Sequence, residues 1–137
     1  MANATAKGKG AIWFKIFDQA YTGGKWCTDV IQANSYNYDL TIPDWVPSGF
    51  YTLRTEIIDL SSNTKASPPD FTRAPQFYSN CMLVNVTSDA TAAPTGYKIP
   101  GIYNNMESKF IVSVTDPASS SAFAIPGPKV VVPKAAT

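Results

Sequence analysis

A chain of 137 residues with 11 Lys and Arg against 10 Asp and Glu carries a net charge of +1. No basic cluster is present to displace counterions from a phosphate backbone, so nucleic acid is not an expected partner. Only 15% of residues are charged, and 11 Pro with 8 Gly punctuate the chain. Soluble domains usually carry about 25% charge, so the balance favours a secreted all-β domain. The longest apolar runs, such as 110–112 and 130–132, fall far short of the ~20 residues of a membrane helix.

In chain order, residues 1–10 are small and polar without apolar periodicity and read as a flexible lead-in, with a single domain spanning 11–137. Residues 11–17 (AIWFKIF) are aromatic and branched with one charge, a strand buried over most of its length. Gly23-Gly24 predicts a turn. Residues 28–31 and 36–42 predict short strands; in the second, Tyr36, Tyr38, Leu40 and Ile42 alternate with Asn37, Asp39 and Thr41. Pro43, Pro47 and Ser48-Gly49 break the chain before the longest strand, 50–60. Residues 61–75 contain three prolines and predict a long loop.

Strand character resumes at 76–88, and 98–103 and 109–115 predict two more strands, although 106–114 also suits one and a half helical turns. Pro126 and Pro128 place residues 125–132 along a sheet edge. No segment shows a convincing helix cap with an amphipathic stripe. About seven short strands separated by turn signals predict an antiparallel immunoglobulin- or fibronectin-like β-sandwich with long loops.

The chain has no histidine. A Ser-His-Asp triad, a Cys-His pair, an HExxH zinc site and a histidine copper brace are therefore excluded from its own residues. Glu56 and Asp59, three apart on a strand, point to opposite faces and lie roughly 10 Å apart, poorly placed to share one cleft as glycosidase carboxylates. Arg54 and Glu56, two apart, share a face and predict a structural ion pair. Cys27 and Cys81 are too few for a disulfide scaffold. A bond between them would close a loop of about fifty residues and contribute about 4 kcal/mol; two free thiols are the equal alternative. Asn3 and Asn85 head N-x-T acceptor tripeptides.

The segments GGKWCTDVI (23–31), IPDWVPSGFYTLRTEIIDL (42–60), QFYSNC (76–81) and IPGPKVV (125–131) resemble the later part of a fungal lytic polysaccharide monooxygenase of auxiliary-activity family nine. The resemblance runs over about 11–132 and implies the same sandwich fold, a secreted fungal protein, and cellulose or another β-glucan as partner. In that family copper is held mainly by imidazole and an N-terminal amine. By the match to QFYxxC, Gln76 stands where the family places a glutamine beside the copper ligands, and Tyr78 where it places the axial tyrosine. LRTEIIDLS puts Thr55 and Ser61 at two positions that the resemblance gives to histidine.

The resemblance thus implies a copper enzyme whose histidines this chain lacks, so no cofactor is expected on its own residues. In the relatives the cysteine matching Cys81 pairs with one in the preceding segment, and alanine often stands at the position of Cys27. The leading segment that carries the copper brace in the family has no counterpart among these residues, which leaves sheet edges open and predicts a homodimer. Trp26, Trp45, Tyr97 and Tyr103, with Tyr21, fall in or near predicted turns as candidate sugar-stacking rings. The alternative is a non-catalytic extracellular polysaccharide-binding or interaction protein, such as an effector or immune-active protein.

Overall fold

The computed structural model describes residues 1–6, 9–61, 75–91, 93–103 and 107–132. Its centre is an antiparallel ribbon of two eleven-residue strands, β5 (Gly49–Asp59) and β6 (Gln76–Val86), paired residue for residue from Gly49 opposite Val86 to Asp59 opposite Gln76. On the other side of β5 lies β1 (Ala2–Asn3), pairing Ala2 with Thr52 and Asn3 with Tyr51, so the sheet order is β1-β5-β6. Two smaller sheets join β2 (Ala11–Trp13) to β7 (Tyr97–Lys98) and β3 (Tyr21–Thr22) to β4 (Lys25–Trp26). Every ladder is antiparallel.

Two apolar clusters pack on opposite faces of the ribbon and at opposite ends. One face carries the odd-numbered residues of β5 with the even-numbered residues of β6. At one end of it, Tyr51 and Leu53 are buried with Met1, Phe14, Ile16 and Val46, and Val84, Val86, Leu40, Ile42 and Trp45 pack around them. On the other face and at the other end, Leu60 joins Phe110 and Val112, packed by Ile58, Tyr103, Trp26, Val114 and Phe123. Phe77, opposite Ile58, adds ring contacts to Tyr103 and Phe110 at 5.4 and 5.5 Å. Burying a side chain of the size of Leu53 or Phe110 contributes about 1.5–3 kcal/mol.

The diagonal arrangement covers half of each face. Ile57, Tyr78 and Met82 stay exposed on the first face, and Phe50 and Leu83 on the second.

The long strands and the glycine turn lie where the alternation and Gly23-Gly24 put them. Both glycines take positive φ, 60° and 81°, and join β3 to β4 with Tyr21 opposite Trp26. Residues 28–31 are not a strand. They belong to α1 (Cys27–Ala33), where Asp29 turns back to accept the Trp26 backbone N–H at 2.8 Å and places a carboxylate in the first turn. The helix stops at Ser35 and Tyr36, both at positive φ, with the Tyr36 N–H returning to the Ile31 carbonyl.

Residues 36–42 form no ladder, yet Tyr38, Leu40 and Ile42 are half-buried while Asn37, Asp39 and Thr41 are exposed, as the alternation predicts; Tyr36 departs from it, because its positive φ at the end of α1 leaves the ring exposed. Likewise 109–115 holds no strand; Phe110 closes a 3-10 turn, Glu107–Phe110, Val112 follows it, and both are buried. In 11–17 only Ala11–Trp13 is laddered, and in 98–103 only Lys98.

A second helix, α2 (Pro117–Ala122), begins at Asp116, whose carboxylate accepts the N–H groups of Ala118 and Ser119 at 3.3 and 3.1 Å. Asp-Pro is a helix-start signal that the pattern of apolar residues conceals. The segment before Ala11, expected as a lead-in, supplies β1 and buries Met1 and Ala2. The expected edge segment 125–132 runs beside 11–17, with Val131 donating to the Lys15 carbonyl at 2.9 Å. Apart from Ser61 and Pro75, the expected loop 61–75 lies outside the described residues.

Candidate functional site

Gln76 and Tyr78 meet on the open half of the first face. They are two apart on β6, so the pleat turns both the same way, and the Tyr78 hydroxyl donates to Gln76 Oε1. Both are exposed; Tyr78 shows 57% of its surface. The register sets Asp59 opposite Gln76, Ile57 opposite Tyr78 and Thr55 opposite Asn80. Ser61 follows the end of β5 and donates its backbone N–H to Asp59 Oδ1 at 2.8 Å. That hydrogen bond, with one from the Ser61 side chain, holds the Asp59 carboxyl below its ordinary value.

The donors on this face are a phenol, carboxamides, a threonine hydroxyl and a carboxylate already engaged with Ser61. Copper selects imidazole or soft sulfur; the face carries no imidazole, and its sulfur is the single thioether of exposed Met82. Among the described residues no group of three or more His, Cys, Asp or Glu converges on a point. The residues present do not fit a copper centre.

The opposite face of the ribbon carries a polar network. Arg54 Nη2 donates to Glu56 Oε1 at 2.7 Å and to Ser79 Oγ, Ser79 Oγ donates to Glu56 Oε1 at 3.3 Å, and the Tyr103 hydroxyl donates to Glu56 Oε2 at 2.6 Å. Burial pushes the Glu56 carboxyl up, but the hydrogen bonds from Arg54 and Tyr103, the Arg54 charge and the Ser79 hydroxyl together hold it below the ordinary value. Burial and the bond to Glu56 push the Tyr103 phenol far up, so it stays a protonated donor. The ion pair follows from the shared face of residues 54 and 56. Tyr103 has no such signature in sequence, because it arrives from another segment.

Glu56 and Asp59 fall on opposite faces, as the strand parity requires, and share no cleft. The other aromatic candidates are mostly packing groups. Trp26 is wedged between Tyr21 and Phe123 at 5.4 and 5.8 Å and donates its indole N–H to the Val114 carbonyl at 3.1 Å. Trp45 leans on Phe14 at 5.8 Å, and Tyr103 stacks in the second cluster. Tyr97, in β7, is 38% exposed. Trp26 and Tyr103 pack against the second cluster, Trp45 against the first, and Tyr97 lies in the β2–β7 sheet. Cys27 and Cys81 are free thiols, Cys27 half-buried with its pKa raised by burial and Cys81 exposed at the centre of β6.

No helix among the described residues is long and apolar enough to cross a membrane. The profile of Auxiliary Activity family 9 (formerly GH61) matches residues 1–123. Similar proteins include an AA9 family lytic polysaccharide monooxygenase A of Aspergillus clavatus, 38% identical over 128 residues, covering 92% of this chain and 34% of the relative. One of the same description from Aspergillus terreus is 36% identical over 128 residues, covering 92% and 33%.

The chain spans about a third of the length of these relatives. Among solved structures, CvAA9A superposes with a TM-score of 0.78 at 28% identity, over 95% of this chain and 60% of that one. The extended catalytic domain of H. jecorina LPMO9A gives 0.63 at 29% identity, over 79% and 40%. Antiparallel sheets and these matches agree: the chain belongs to Auxiliary Activity family 9 and has the antiparallel β-sandwich fold of that family.

Proposed function

We propose that this chain is a secreted AA9 protein that associates with cellulose or a related β-glucan, as a homodimer, without gripping copper through its own residues. The observation that carries the reading is the Tyr78–Gln76 pair on an open, uncharged stretch of β6, beside Thr55 and close to Ser61, in a chain with no imidazole. By the resemblance to QFYxxC, Gln76 stands at the family's glutamine and Tyr78 at its axial tyrosine. An exposed phenol next to a carboxamide offers a sugar a ring face for stacking and polar groups for its hydroxyls. The exposed side chains of Ile57, Tyr78 and Met82 along the open half of the first face suit an extended polysaccharide surface better than a single soluble sugar.

Sedimentation with microcrystalline cellulose tests this. Most of the protein is expected in the pellet, with Tyr78→Ala reducing retention roughly fivefold, the loss of about 1 kcal/mol of ring contact, and Lys25→Ala at the start of β4 leaving it unchanged. Retention of neither the wild type nor any variant would overturn the reading.

A further inference from the structure

We infer that Asn85 is an N-glycosylation site whose first sugar lies on the ring of Phe50, its cross-strand partner. The inference rests on the secretion proposed above and goes beyond it in naming the modified atom and the side chain that receives the glycan.

Asn85-Val86-Thr87 has the acceptor form N-x-T with no proline between. On extended chain such a tripeptide turns its first and third side chains one way and its middle one the other. The residues divide in that way: Val86 packs on the first cluster, while Asn85 and Thr87 are exposed. Among the described residues the Asn85 carboxamide takes no hydrogen bond. In the other acceptor tripeptide, the Asn3 carboxamide oxygen is held by the N–H and the hydroxyl of its own Thr5 at 2.9 and 2.6 Å. The chain just beyond Thr87 is fastened, because Ser88 donates its N–H to Ser48 Oγ at 2.7 Å and its carbonyl accepts that hydroxyl at 2.6 Å. A bulky glycan thus finds room at Asn85 and a fixed root.

What stands beside that root gives the glycan a place to lie. The ladder sets Asn85 directly opposite Phe50, and Leu83 is the next residue of β6 on the same face. Phe50 keeps 65% of its surface and Leu83 76%, so two large apolar side chains flank one carboxamide. Opposed side chains of an antiparallel pair stand about 4.5–5.5 Å apart at Cβ, within reach of a sugar ring carried on Nδ2. One face of N-acetylglucosamine presents C–H groups, which fit the negative face of the Phe50 ring, while its hydroxyls and acetamide stay in water. Apolar surface of Phe50 is thereby taken out of water without a partner protein.

The modification is a group transfer from an oligosaccharide carried on a polyprenyl diphosphate. Nδ2 of Asn85 attacks the anomeric carbon; the C–N bond forms as the C–O bond to the diphosphate breaks. The nitrogen gives up one proton, and the polyprenyl diphosphate leaves with the electron pair. Thr87 supplies the hydroxyl that the acceptor motif requires two residues on.

The test expresses the 137-residue chain behind a cleavable export leader in yeast. Glycans of the secreted and cell-retained fractions are released by an amidase in heavy-oxygen water, which leaves a labelled aspartate wherever one stood. Label at position 85 is expected in most chains of the wild type and of Thr87→Ser, and in none of Thr87→Ala or Asn85→Gln. Trimmed to its root sugar, the yeast protein is expected to unfold about 3 °C above the same chain made without glycan in a bacterial cytoplasm. That gap is expected to close in Phe50→Thr, an exposed change to another residue that suits a strand. A bare Asn85 in both fractions, beside occupied host glycoproteins, would overturn the site. It would leave secretion untouched, since the leader imposes export, and cellulose retention is measured separately. An occupied Asn85 whose stabilisation survives Phe50→Thr would overturn the contact with the ring.

Discussion

Replacing Glu56 with alanine is expected to lower stability by about 2–3 kcal/mol, the range for removing one partner of a buried pair after allowing for partial exposure. The side chains of Arg54 and Glu56 keep 21% and 13% of their surface. Truncation leaves the Arg54 guanidinium without its counter-charge and the Tyr103 hydroxyl without its acceptor. Thermal unfolding should fall by roughly 8–10 °C for a domain of this size.

The same carboxyl sets an acid dependence. Because it is held below its ordinary value of 4.5, the unfolded chain takes up the proton more readily than the folded one. Its stabilisation is therefore complete above that value and is lost as pH falls through the lower folded value. Wild type and Glu56→Gln should differ most near neutral pH and converge in acid. A constant difference across the range would remove Glu56 as the group responsible.

Gly96→Ala is expected to be at least as damaging. Gly96 precedes β7 where it crosses β2, whose register shifts between Ala11 and Trp13. A Cβ at this position would lie 2.0 Å from the Ala11 carbonyl oxygen and 2.7 Å from its carbon. Both are backbone atoms, so no rotamer change relieves the overlap. The strands must separate, at about 3 kcal/mol or more, and the loss should appear as a lower midpoint in denaturant unfolding. Alanine at Gly24, where nothing lies within 4 Å of the added carbon but φ is 81°, should cost only about 1 kcal/mol.

Strand parity carried most of what the sequence reveals. It put Arg54 beside Glu56 and separated Glu56 from Asp59, because residues two apart on a strand must share a face; Gln76 and Tyr78 came from the family resemblance instead. It also identified Tyr38, Leu40 and Ile42 as the half-buried residues of 36–42, though not the exposed Tyr36. It failed to say whether that segment hydrogen-bonds to a neighbour, since burial alternates along any extended chain packed on a core. Residues 28–31 misled for another reason: a four-residue run of mixed character is ambiguous between helix and strand, and Asp29 decides it by holding the Trp26 N–H. Tyr103 joins Glu56 only through tertiary packing, so periodicity carries no trace of it. The histidine-free character of the site was legible outright, because composition alone removes imidazole.

The central claim is that the family's copper-facing strand persists here on residues that do not grip the metal. Calorimetric titration of Cu(II) into the 137-residue protein, in a buffer that does not chelate, tests it most directly. With phenol, carboxamide and hydroxyl donors, one carboxylate engaged with Ser61 and a lone thioether on that face, binding no tighter than about 10 μM is expected, unchanged in Tyr78→Phe. A stoichiometric submicromolar site would contradict the account.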